Sequence, residues 1–140
     1  MLESSKNTVL LFGSFDGIHV GHEYLINEAL KYGSHIVVVV AQDSIIESIK
    51  QQTPMYSLDV RIANLKERFP ETTPIVGDRE KGTWSAIKDY QPETILVGYD
   101  QHGLKEALQD IQEQYEFTIV QAKAFQPEKY KSSILRNKKK

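Results

Sequence analysis

The sequence predicts an α/β fold, a doubly wound sheet of about five parallel strands with helices on both faces. Short β-branched apolar runs, helical spacing between them and small-residue turns at their junctions together predict it. The first run, Val9-Leu10-Leu11-Phe12, is apolar without alternation, as a strand covered on both faces should be. The turn Gly13-Ser14-Phe15-Asp16-Gly17 follows, then a segment of helical periodicity, Tyr24-Leu25-Ile26-Asn27-Glu28-Ala29-Leu30. A second strand is expected over 36–41, and the polar stretch 50–55, closed by Pro54 and Met55, is the expected mobile loop. Leu58, Ile62, Leu65 and Phe69 then share one helical face behind Ser57, a candidate N-cap. Strands are expected again at 74–76, 94–97 and 117–120, with Trp84, Ile87 and Tyr90 on a short helix ending before Pro92. Leu104, Leu108, Ile111 and Tyr115 give a later helix its buried face. Ligands of such a sheet bind beyond the carboxyl ends of its strands, which gathers 13–22, 42–50, 77–81 and 98–102 around one crevice.

Length and charge narrow the organisation. With 140 residues the chain fits a single domain, 1–140, built on one core. A formal net charge of -2 gives no electrostatic reason to expect nucleic acid or a membrane surface as a partner. The basic run Arg136-Asn137-Lys138-Lys139-Lys140 reads as a solvated terminus. No apolar run approaches the length of a membrane span, and residues 1–7 contain no signal-peptide core. Cysteine is absent, which excludes disulfides, thiol catalysis and thiolate metal sites. A reducing, cytoplasmic setting is the expectation.

The turn 13–22 is where chemistry is expected. A small-residue turn between a buried strand and a helix offers an anion the free N–H groups and partial positive charge of a helix N-terminus. His19 and His22, spaced H-x-G-H, add donors that can follow charge building on a reacting phosphoryl group. Gly21 between them lets the backbone approach a ligand. Asp16 fits an orienting or metal-binding carboxylate, and equally the side chain of an Asx turn. The glycines do not spell G-x-G-x-x-G and the Walker lysine is missing, so neither the dinucleotide nor the P-loop signature applies. No histidine cluster has zinc spacing.

Gly13-Ser14-Phe15-Asp16-Gly17-Ile18-His19-Val20-Gly21-His22 resembles the signature of the cytidylyltransferase-like nucleotidyltransferase superfamily, roughly G-[ST]-F-D-x-x-H-x-G-H. Val97-Gly98-Tyr99-Asp100-Gln101 resembles its G-x-D segment after the fourth strand, and Lys131-Ser132-Ser133-Ile134-Leu135-Arg136 its late S-S/T-x-x-I-[RK] motif. Lys131 stands where many members carry a first serine. The layout is similar to that of archaeal-type FAD synthases, which have a comparable L-G-x-D-Q segment, and of glycerol-3-phosphate cytidylyltransferases. The resemblance implies a Rossmann-like sheet and transfer of a nucleotidyl group from ATP or CTP to a phosphate-bearing small molecule, with release of pyrophosphate. FMN adenylyltransfer is the first expectation and glycerol-3-phosphate cytidylyltransfer the second. A phosphate monoester is already nucleophilic, so catalysis rests on in-line positioning and on neutralising charge.

Carried over residue by residue, the resemblance makes His19, His22, Lys50 and Arg136 catalytic. It makes Gly13, Ser14, Phe15, Asp16, Gly21, Gly98, Asp100, Ser132 and Ser133 nucleotide-binding, with Asp100 on the ribose hydroxyls. Arg61 would meet the acceptor phosphate, or else form an ion pair on the helix surface. Ser132 and Ser133 also read as a simple N-cap pair, and Lys50 as a solvated loop lysine. Trp84 stacks on a flavin or base in one reading and packs in the core in the other, which its spacing with Ile87 favours. Mg2+ is implied because nucleoside triphosphates travel with it, with Asp16 as a candidate ligand beside the phosphate oxygens. Relatives of this size suggest a homodimer. Two further readings stand beside the enzyme: a nucleotide-binding regulatory protein without turnover, and a class I aminoacyl-tRNA synthetase. The length leaves no room for the latter's anticodon-binding or editing domains.

Overall fold

A computed structural model describes residues 7–123 except 19 and 81, with 49 and 50 described in backbone only. Five strands, β1 (Thr8–Gly13), β2 (His35–Val40), β3 (Thr72–Val76), β4 (Thr94–Val97) and β5 (Thr118–Gln121), form one parallel sheet in the order β3-β2-β1-β4-β5. The helices between them are α1 (Val20–Ala29), α2 (Asp43–Lys50), α3 (Leu58–Arg68), α4 (Ser85–Tyr90) and α5 (His102–Tyr115). The doubly wound α/β sheet expected from the sequence is therefore present.

Successive residues of the central strands serve opposite faces, which is why those strands are apolar throughout. Val9, Leu11, Ile36, Val38 and Val40 pack on one side with Ile26 of α1 and Leu65 of α3. Leu10, Val37, Val39, Ile95 and Val97 pack on the other with Ile87 of α4 and Leu108 of α5. All four apolar residues expected on α3, and all four expected on α5, lie in or against these cores. Trp84 belongs to the second core, edge-on to Phe12 with ring centroids 5.9 Å apart.

Several boundaries differ from expectation. β3 begins two residues before Pro74, because Thr72 and Thr73 join the ladder beside Ile36 and Val37. Threonine favours a half-buried edge strand but is invisible to a search for apolar runs. Ser57 occupies the N-cap position of α3 without a side-chain cap bond. Lys50 is the last residue of α2 rather than part of the following loop. No helix among the described residues is long and apolar enough to cross a membrane.

Candidate active site

The loops expected to share a crevice all leave the carboxyl ends of the parallel strands. The strand order reverses at β1: β2 and β3 lie to one side, and β4 returns to the other. The switch point, where such sheets bind ligands, therefore falls between β1 and β4. The ladder there is short. β1 and β4 register through Val9–Thr94 and Leu10–Ile95, whereas β1 and β2 stay paired from Thr8–His35 to Gly13–Val40.

One side chain spans that gap. Gln101 accepts the Gly98 N–H on its Oε1 (2.7 Å) and donates its amide to the Phe12 carbonyl (3.1 Å). It thereby fixes the turn after β4 against the end of β1. The other seams have their own links. Gln42 donates to the Gly77 carbonyl (3.0 Å), joining β2 to the turn after β3. Gln121 of β5 reaches the carbonyls of Gly98 (3.4 Å) and Tyr99 (3.2 Å), with Lys105 donating to its Oε1 (3.0 Å).

Arg61 links β1 and β2. Its side chain is fully buried. Nε donates to the Tyr56 carbonyl (3.1 Å), NH1 to the carbonyls of Ser14 and Ala41 (2.8 Å each), and NH2 to the Asp43 carboxylate. These bonds use four of the five guanidinium donors. Expected at the acceptor phosphate or in a surface ion pair, Arg61 is instead a buried clamp. Its partners come from three segments, the turn after β1, the junction of β2 with α2 and the loop before α3, so the residue organises the crevice.

The turn after β1 owes its shape to three residues. Phe15 has φ +51, a left-handed conformation that costs a side-chain residue of order 1 kcal/mol. That bend turns its ring back into the first core, where it is 3% exposed and stacks 4.8 Å from the His22 ring. A Cβ at Gly13 would stand 2.8 Å from the Phe15 ring, so Gly13 is required by that fold-back. The Phe15 ring is thus held in the core, against the His22 ring. Asp16 also differs from the expectation of a metal ligand. Its Oδ2 accepts the Met55 N–H (2.7 Å) and its Oδ1 the Tyr56 N–H (2.8 Å). Both oxygens hold the loop that follows α2, so the stretch expected to be mobile is anchored at its far end.

Gly21 and His22 lie in the first turn of α1, at the positive end of that helix. Gly98 is buried at the switch point, and Asp100 is exposed on the following turn, before α5. A Cβ at Gly98 would find only ordinary contacts, the nearest at 3.4 Å, so nothing within the described chain demands glycine there. Lys50 closes α2, ahead of the loop whose far end Asp16 anchors. His19, Lys131, Ser132, Ser133 and Arg136 lie outside the described residues. Among the described residues no group of three or more His, Asp or Glu side chains is arranged to hold a metal.

The sequence alone assigns no role of their own to Gln42, Gln101 and Gln121. Their recurrence at strand ends, just after β2, just after the β4 turn and on the last residue of β5, was the available signal. A concavity of about 500 Å³ lies at the opposite end of the sheet, lined by residues including Ile87, Gln91, Pro92 and Tyr115. It brings together none of the residues expected in catalysis.

Comparison with known proteins bears on this geometry. A family model described as "Cytidylyltransferase-like" matches residues 10–138. A FAD synthase of Aciduliprofundum boonei is 31% identical over 132 residues, spanning 94% of this chain and 85% of that protein. A FAD synthase of Thermococcus sibiricus is 31% identical over 112 residues, spanning 77% and 76% of the two chains. The crystal structure of a lipopolysaccharide core biosynthesis protein from Thermoplasma volcanium superposes with a TM-score of 0.73 at 28% identity. It covers 84% of this chain and 97% of that one.

Proposed function

Since the chain belongs to the cytidylyltransferase-like family and is a nucleotidyltransferase, we propose that it adenylylates FMN with ATP, giving FAD and pyrophosphate. The observation that carries the acceptor is the similarity to FAD synthases, which runs over nearly the whole chain. In this reaction an oxygen of the FMN phosphate attacks the α-phosphorus of ATP. The bond from that phosphorus to the bridging oxygen breaks, and pyrophosphate leaves with the electron pair. No covalent enzyme intermediate is needed, so the protein's part is alignment and charge stabilisation.

His19 and His22 donate to the non-bridging oxygens of the α-phosphate, assisted by the N-terminus of α1. The glycine at 98 gives the nucleoside close approach where the chain itself makes no demand for one, and Asp100 takes the ribose hydroxyls. Lys50 and Arg136 neutralise the departing pyrophosphate, and Ser132 and Ser133 donate hydrogen bonds to its oxygens. The Tyr24 hydroxyl of α1 donates to the carbonyl of Lys123, the last described residue (3.3 Å). The triphosphate arrives with a divalent cation, which we take to be Mg2+. The described residues do not fit a protein cage for it, because Asp16 is engaged on both oxygens. Phosphate oxygens and water would supply its ligands.

The test is a matrix of ATP and CTP against FMN and glycerol 3-phosphate, read by pyrophosphate release and by FAD formation. FAD from ATP and FMN is the expected product. Turnover confined to CTP and glycerol 3-phosphate overturns the reading, and tight triphosphate binding with no pyrophosphate from any acceptor argues for a regulatory binder. His19→Ala or His22→Ala is expected to lower kcat by about 10²- to 10³-fold, the loss seen when one donor to a developing oxyanion is removed.

A further inference from the structure

We propose that Tyr56, with Met55 beside it, forms a stacking platform for the planar ring system of the phosphorylated acceptor. The proposal rests on the reading of FMN as that acceptor. Its starting point is a contrast within one dipeptide. The side chains are open to solvent, 76% for Met55 and 39% for Tyr56. Their backbone is held from both sides. Asp16 takes both N–H groups and Arg61 donates to the Tyr56 carbonyl. Both anchors also belong to the turn after β1, Asp16 by sequence and Arg61 through the Ser14 carbonyl.

The position of the ring follows. A Cβ built at Gly17, where φ is +84, would meet only Cε2 of Tyr56, at 3.8 Å. The edge of the phenol ring therefore stands beside the turn, at the distance a side chain on Gly17 would touch, and the absence of that side chain leaves the space between them open. An acceptor whose phosphate is held at the turn must extend its remaining atoms past the turn's rim, where Tyr56 and Met55 stand. A tyrosine fixed at its backbone has two side-chain torsions to lose on binding, which makes it an inexpensive aromatic contact. Stacking on such a ring rewards a broad π face and gives nothing to a small polyol phosphate, so the platform also selects between acceptors.

Steady-state kinetics and FMN fluorescence titration of the full chain test this. Tyr56→Ala is expected to raise KM for FMN by roughly 5- to 150-fold, the range covered by base stacking on an aromatic side chain. KM for ATP should stay within about twofold, and Tyr56→Phe should restore the FMN value. Should Tyr56→Ala fail to fold, Tyr56→Leu carries the same expectation, because it keeps bulk and loses the π face. An unchanged KM for FMN in either variant, in a protein whose wild type makes FAD, overturns the platform and leaves the acceptor reading intact. A wild type that neither binds FMN nor makes FAD overturns both.

Discussion

At the carboxyl end of the sheet every seam carries a long polar side chain: Gln42 for β3 and β2, Arg61 for β2 and β1, Gln101 for β1 and β4, Gln121 for β4 and β5. At the amino end the contacts are short. Thr8 and Thr73 reach the two ring nitrogens of His35 at 3.2 and 3.5 Å, and Gly33 packs directly on the Asn7 carbonyl. The long side chains donate almost entirely to backbone carbonyls at the strand ends and loops, those of Phe12, Ser14, Ala41, Tyr56, Gly77, Gly98 and Tyr99. Carbonyl oxygens repel phosphate and N–H groups attract it. Loops fixed by their carbonyls can be rigid and still present positive potential, which is what a site built on preorganised charge requires. The amino end is held by short contacts between neighbouring strands and turns instead.

Arg61→Met breaks the comparison hardest. It removes four hydrogen bonds and the partner of Asp43, and its expected cost is about 3–5 kcal/mol in urea unfolding. Activity should fall with stability, because the carbonyls of Ser14 and Ala41 lose their restraint together. Arg61→Lys should not rescue it, since one ammonium cannot reproduce the planar fork. A stable Arg61→Met protein impaired only in KM for the acceptor would return this residue to the acceptor phosphate.

Gly33→Ala probes the amino end. Its Cβ would stand 2.0 Å from the Asn7 carbonyl oxygen, so the backbone must shift. The expected cost is about 2–3 kcal/mol, as for an overpacked core. The kcat of the folded fraction should match wild type, measured well below the unfolding midpoint. A loss of kcat with folding intact would show the two ends to be coupled.

These side chains also mark how far the sequence could be read. The strands at 9–12 and 94–97 and the faces of α3 and α5 were legible because burial on both sides, or at 3.6-residue spacing, is written in neighbouring residues. The turn between β1 and α1 was legible in its run of small residues. Arg61 was not. It stands next to Ile62 on an amphipathic helix, and its burial depends on Ser14, Ala41, Asp43 and Tyr56, which only the fold brings together. The burial of the Phe15 ring was not legible either, because an aromatic residue between a serine and an aspartate looks like part of a loop. Its positive φ, which no residue type announces, sends the ring into the core.

Gln101→Leu costs less stability than either Arg61→Met or Gly33→Ala and gives the sharpest test of what the long side chains do. The variant leaves the buried Gly98 N–H and the Phe12 carbonyl without their partner, a loss of about 1–2 kcal/mol. Thr73→Val at the amino end removes one 3.5 Å contact and should cost less than about 0.5 kcal/mol. If the carboxyl links only held the sheet together, each variant would lose activity in proportion to its stability. Gln101 spans the switch point, so its loss should separate the turn after β4 from the turn after β1. KM for the nucleotide should then rise about tenfold, in a protein still folded at assay temperature, while Thr73→Val leaves KM unchanged. Gln101→Glu sharpens the point. It keeps the acceptor for Gly98, loses the donor to Phe12 and sets a carboxylate beside the expected phosphate path. At similar stability it should raise KM for the triphosphate above the Gln101→Leu value, and increasing ionic strength should narrow the gap. Equal KM values for the two variants would mean that Gln101 acts on strand spacing alone and lies outside the field felt by the nucleotide.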